Sequence, residues 1–123
     1  MKRIPLAEMS TDDLIQLFVQ VVVAQDEADL GGQTTKFRRL YQRMMEVSDE
    51  LQRRDGDHRR YLVQLFSYPN MQVRVQAAKL TLAVAPVEAR AQLQAIADSK
   101  WYPQALDAGM SLWNLDRGVF VPS

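Results

Sequence analysis

The sequence predicts an all-α fold: a short α-solenoid of about six helices in stacked antiparallel hairpins. Three observations predict it. Apolar residues recur at three- and four-residue steps through most of the chain, which is the period of one helix face. No segment carries the alternating, β-branched pattern of a half-buried strand over a useful length. Pro69, Pro86 and Pro103 stand at equal intervals, with alanine-rich amphipathic segments between them. A helix of about three and a half turns plus a short turn takes roughly 17 residues, so a helix breaker recurring at that interval marks successive helices of equal length. Helices joined by short turns pack antiparallel, and pairs of them stack with a period of about 34 residues.

The first helix is expected to start at Ser10, whose hydroxyl can cap free backbone N–H groups while Asp12 and Asp13 suit the positive end of the helix dipole. Leu14, Leu17, Phe18, Val21 and Val22 form its apolar stripe, and "LGGQTT" ends it, with Thr34 or Thr35 capping the next helix. The second helix is expected from about Lys36 to Arg54. Phe37, Leu40, Tyr41, Met44, Met45 and Leu51 make its buried side; Arg39, Arg43, Glu46, Asp49 and Glu50 face water. Gly56 is the expected stop and Asp57 the following cap. A short third helix near Arg59–Ser67 buries Tyr61, Leu62, Leu65 and Phe66. Asn70 then caps a helix from Met71 to about Val84. Pro86 opens the next at its first position, where a missing N–H costs nothing, and Pro103 does the same for the last, which Gly118 ends. Small residues such as Ala77, Ala78, Ala89, Ala105 and Ala108 let these helices approach closely, and Trp113 joins Leu112 and Leu115 in the core.

The chain of 123 residues reads as a single helical-repeat domain, residues 1–123, with hairpins at 10–55, 57–84 and 86–118. Its 24% charged and 47% apolar residues are ordinary globular values and exclude a disordered chain. With no cysteine, neither a disulfide framework nor a thiolate metal site can form. The amino terminus is too short and polar for a secretion signal, and "FVQVVVA" falls far short of a membrane span. A cytoplasmic protein is therefore expected, without membrane or cofactor.

"PNMQVRVQAAKLTLA" is similar to the second-helix signature of HEAT-type repeats. Val73, Ala77 and Leu80 fill its apolar positions and Arg74 the basic one, over Tyr68 to about Asp116. Nearly the whole chain also resembles a family of small bacterial proteins catalogued only as a domain of unknown function. The shared features are "AQDEA", the stretch from "KFRRLYQRMMEVSDELQRRDGDHRR" through "YLVQLFSYPNMQVRVQAA", and the terminal "LDRGVFVP". An Asn is common in that family where this chain carries Arg38 or Arg39. The resemblance implies a HEAT-like helical fold and supplies no catalytic residue. Small bacterial helical-repeat proteins of this kind often bind partners, immunity proteins that neutralise toxins among them.

Charge narrows the function further. Fifteen basic and fifteen acidic side chains cancel, whereas phosphate binding calls for a positive excess. They are unevenly placed: Met1–Thr35 holds two basic and six acidic residues, Lys36–Arg60 eight basic and five acidic. Arg53, Arg54, Arg59 and Arg60 bracket one turn and form a candidate protein-binding patch, against the bland reading of a solubilising loop balanced by Asp55 and Asp57. Asp26, Glu27 and Asp29 are the acidic counterpart for a basic partner. Trp101, beside Tyr102 in a turn, is a candidate anchor, with Tyr102 buried and Trp101 partly exposed. Arg74 is read as structural, reaching carbonyls or a carboxylate of the neighbouring repeat. His58, the sole histidine, needs no function in a charged turn and cannot make a zinc site without further ligands. Glu46 and Glu50, one turn apart, are a weak carboxylate pair. No catalytic set, cofactor or metal site is assigned. The expectation is a non-enzymatic module that binds one protein partner, most economically an immunity protein with a toxin domain as its partner. A general adaptor, or a nucleic-acid binder working through the arginines, is the alternative.

Overall fold

The computed structural model describes residues 4–123. Met1, Lys2 and Arg3, which include both basic residues of the acidic first segment, lie outside the described residues. Among the described residues there are five α-helices, two 3-10 segments and no strand, so the all-α expectation holds. The helices are α1 (Thr11–Leu30), α2 (Thr34–Arg53), α3 (Met71–Leu80), α4 (Pro86–Asp98) and α5 (Gln104–Asp116). A 3-10 turn at Leu6–Glu8 precedes α1, and a ten-residue 3-10 segment, His58–Ser67, precedes α3. The chain divides into two compact units, Met1–Tyr61 and Leu62–Ser123, with the division inside that segment.

In the first unit α1 packs along α2. Ser10 caps α1, its hydroxyl accepting from the Asp13 N–H at 3.1 Å. The buried residues of α1 include Leu14, Phe18, Val21 and Val22 of the expected stripe, together with Ile15, Gln25 and Ala28. Neither Thr34 nor Thr35 caps α2; that position belongs to Gln33, whose side chain makes no capping bond. The Gly32 backbone, at φ 68°, turns the chain so tightly that α2 begins at Thr34 itself. Within the unit α2 buries one narrow face, Met44, Val47, Ser48 and Leu51, so Tyr41 at its edge stays exposed rather than buried. Glu50, assigned to the solvent side by period alone, is buried instead because Arg53 and Arg54 fold over its carboxylate.

The third helix is not an α-helix. A 3-10 segment has three residues per turn, so side chains at i and i+3 eclipse. Arg59, Leu62 and Leu65, three apart, are the ones that become buried, and Tyr61, expected in the core, is left outside at 42% exposure.

In the second unit α4 packs on α5 and α3 on both. Asn70 caps α3 as expected, accepting from the Val73 N–H at 3.1 Å, and Arg74 donates from Nε to the Tyr68 carbonyl. α3 ends at Leu80, four residues early. The buried Thr81 hydroxyl donates back to the Ala77 carbonyl at 2.8 Å, and Pro86 excludes Ala85 from a helical conformation, so the chain turns over 81–84. Pro86 opens α4 as expected. Pro103 does not open α5: it is the N-cap, after a cis Tyr102–Pro103 bond, and α5 starts at Gln104. The three prolines thus mark three helix starts but hold three different positions relative to them, so equal intervals do not mean equal helices. The core here is Val75, Ala78, Leu82, Ala89, Leu93, Ile96, Ala108 and Leu112, alternating small and large side chains between the three helices. Gly118, at φ 71°, ends the last helix, and the N–H groups of Val119 and Phe120 both turn back to the Asn114 carbonyl. Among the described residues no helix is long and apolar enough to cross a membrane.

Candidate functional site: a charged knot and an exposed apolar face

The four arginines of the expected patch have different surroundings. Arg54 is drawn inward: its Nε donates to Glu50 Oε2 at 3.1 Å, its Nη2 to the carbonyls of Met9 at 2.6 Å and Leu6 at 3.1 Å, and its Nη1 to Thr11 Oγ1 at 3.3 Å. The Thr11 hydroxyl, accepting from Arg54, is also hydrogen-bonded to His58 Nδ1 at 2.8 Å. Arg54 therefore ties the segment ahead of α1 to the end of α2, and His58 closes the knot. Arg59 is 7% exposed and makes a fork to Asp57, Nε to Oδ1 at 3.0 Å and Nη2 to Oδ2 at 2.8 Å. Arg53, 63% exposed along its side chain, lies 3.3 Å from Glu50. Arg60 is exposed and lies 5.0 Å above the Tyr61 ring. Two of the four arginines face water and two hold the fold. Glu46, the other member of the carboxylate pair, faces Arg43 at 3.7 Å while Glu50 is enclosed, so the two do not share a site.

Asp57 has a left-handed backbone at φ 52°, directly after Gly56 at φ 83°, and this turn brings its carboxylate back onto Arg59. The hydrogen bond from the Arg59 side chain holds the Asp57 carboxyl below its ordinary value of 3.8, outweighing the burial that raises it. A carboxyl lowered by folding adds stability above its unfolded pKa and loses it as pH falls through the folded one. Asp57→Asn keeps a residue type that tolerates the left-handed backbone and removes the charge. Urea melts from about pH 5 down to about pH 2 are expected to show wild type losing more stability than Asp57→Asn. Equal losses would show that the fork contributes nothing.

On α1, Glu27 and Asp29 are exposed and Asp26 is half-buried, so the acidic candidates share a helix end but not one exposed face. A depression of about 360 Å³ on α2, lined by Lys36, Arg39, Leu40, Gln42, Arg43 and Glu46, is the basic feature of that unit outside the knot.

The most distinctive surface lies in the second unit. Leu106, Met110 and Trp113, four and three residues apart, line the outer side of α5 at 61%, 48% and 52% exposure. Trp101 and Tyr102 stand exposed ahead of α5, and Val119, Phe120 and Val121 after it. Trp101 is thus open as expected. Tyr102 is open too, contrary to expectation, and Trp113 is not core. Leu93, Ile96 and Ala108 already fill the space between α4 and α5, and Arg117 lies 4.3 Å above the Trp113 ring on the outside. The edges of this face are polar: Lys79 binds Asp107 at 3.1 Å on one side and Arg90 pairs with Asp116 on the other. Composition carried the signal that would have found the face. α5 has apolar residues at Ala105, Leu106, Ala108, Met110, Leu112, Trp113 and Leu115, more than one buried stripe requires.

A search of curated proteins found no match to the chain. The fold is similar to the crystal structure of the protein RPA1889 from Rhodopseudomonas palustris CGA009, with a TM-score of 0.95 and 60% sequence identity, over 98% of this chain and 100% of that one. The model of the domain of unknown function DUF2019 matches residues 12–116. With that match spanning α1 through α5, the chain belongs to the DUF2019 family.

Proposed function

We propose that the chain is a non-enzymatic protein-binding module that docks a protein on the outer face of α5. The observation that carries this is the exposure of Leu106, Met110 and Trp113 between two ion-paired edges. An apolar centre with a polar rim is the anatomy of a protein interface, and contiguous apolar surface of this kind is rare on a protein that works alone. The side chains that might do chemistry are otherwise engaged: His58 with Thr11, Glu50 with Arg53 and Arg54. The frame for this reading is a short HEAT-like solenoid. Support for it comes from the packed neighbours α1 with α2 and α4 with α5, and from Arg74 reaching a carbonyl ahead of its own helix.

The specific form of the proposal is a cytoplasmic bacterial immunity protein whose partner is a toxin domain, with Trp101 in the contact. The test is co-expression with the toxin-bearing reading frame next to its gene. Wild type is expected to restore growth and to co-purify with the toxin. The double variant Leu106→Asp/Met110→Asp should lose both, binding weakening roughly a hundredfold or more, while circular dichroism should show its helical fold intact, because the altered side chains lie outside the core between α3, α4 and α5. Toxin binding unchanged in that variant would remove α5 as the docking face.

A further inference from the structure

We infer that in the purified protein the outer face of α5 is covered by α5 of a second copy, packed antiparallel about a two-fold axis; this rests on the docking-face reading and names the occupant of the face when no other partner is present. Leu106, Gly109, Met110 and Trp113 stand at i, i+3, i+4 and i+7. Four such residues form the hole that receives one side chain from a facing helix. The floor of this hole is open, because a Cβ placed on Gly109 meets nothing within 4 Å. It therefore accepts a large side chain, and the same face presents one in Trp113, 52% exposed. Seating Trp113 of each copy over Gly109 of the other sets the register: the helices run antiparallel and the axis crosses α5 at the level of Ser111.

That register also matches the two ends. Exposed apolar residues stand at both ends of α5, Trp101 and Tyr102 ahead of it and Val119, Phe120 and Val121 in the turn after it, and the antiparallel register sets each end beside the opposite end of the other copy, twice by symmetry. A surface facing its own copy sets like charges against like charges unless they are neutralised beforehand. Here the carboxylates on both edges are: Asp107 is held by Lys79 and Asp116 by Arg90. The exposed parts of these apolar residues amount to on the order of 800 Å², about what each partner contributes to a stable interface.

The test is light scattering and sedimentation of the purified chain over a range of concentrations, wild type beside Gly109→Leu. Wild type is expected to be a dimer at micromolar concentration. Leucine at position 109 fills the hole and should raise the dissociation constant at least roughly tenfold. Its Cβ has open space and leucine is the better helix former, so circular dichroism should show the fold intact. The absence of native cysteine allows a register test with single cysteines. Met110→Cys lies one residue from the axis and should cross-link to its own copy under mild oxidation. The two copies of Leu106→Cys would stand about 15 Å apart along the helix axis and should not. A monomeric wild type, a Gly109→Leu dimer as tight as wild type, or equal cross-linking of both cysteines would overturn the antiparallel dimer. If toxin binding is nevertheless lost in Leu106→Asp/Met110→Asp, the docking-face reading survives and only the second copy as its occupant fails.

Discussion

Arg54→Ala is expected to cost about 3 kcal/mol of folding stability, the low end of what breaking a buried ion pair costs. The low end applies because the Arg54 side chain keeps 18% of its surface in water. The loss has two parts. The variant forfeits bonds to Glu50, to the Leu6 and Met9 carbonyls and to Thr11, and it leaves the Glu50 carboxylate, 10% exposed, with Arg53 alone at 3.3 Å. Hydrogen bonds to charged groups contribute about 1.5–3 kcal/mol net of their exchange with water, and within one network these contributions do not add. Lysine keeps the charge but cannot aim donors at four acceptors in the fixed directions of a guanidinium, so Arg54→Lys should recover only part of the loss. Urea melts of the three proteins at neutral pH check this. A midpoint for Arg54→Ala within error of wild type would mean that the knot around Arg54 is a surface ornament and that the arginine is available to a partner after all.

Leu93→Ala should be costlier still, about 4 kcal/mol. Leu93 is fully buried between α4 and its neighbours, and much of the surrounding core is Ala78, Ala89 and Ala108. Truncating a buried leucine costs its transfer free energy plus a term for the cavity, and the cavity term is smallest where neighbours can relax into the gap. Alanines have no side-chain freedom with which to do so. The expected loss is a large part of a typical domain's 5–15 kcal/mol, so the variant should show a sharply lowered melting midpoint. Leu93→Met, nearly equal in volume, should lose less than about 1.5 kcal/mol. Similar losses for both variants would show that the alanine-rich core is looser than its packing implies.

Arg54 and Leu93 both depend on packing, and local sequence determines other features of the chain. The Ser10 and Asn70 caps, the Pro86 start and the Gly118 stop were legible because each depends on the backbone chemistry of a few neighbouring residues. So was the all-α class, since a 3.6-residue period is a property of the chain alone; Arg74 bonds a carbonyl as expected, but that of Tyr68, six residues before it, rather than one of a neighbouring repeat. The misplaced burial of Glu50 and Arg54 depended on partners distant in sequence. Glu50 is polar by period yet enclosed, because Arg54 is held over it by carbonyls more than forty residues earlier in the chain. The basic patch dissolved for two reasons: the Leu6 and Met9 carbonyls, distant in sequence, draw Arg54 inward, and the left-handed turn at Gly56 and Asp57 folds the Asp57 carboxylate onto Arg59, its near neighbour.

By itself the sequence determined that this chain is helical, where most of its helices begin and end, and which stripes could be apolar. Only the tertiary structure decided which apolar residues have a neighbour. Leu106, Met110 and Trp113 are large apolar side chains like Leu93, and nothing local distinguishes them. They remain exposed because α3 and α4 fill one side of α5 and, among the described residues, leave its outer face uncovered, and burial is a property of what lies opposite, not of the residue.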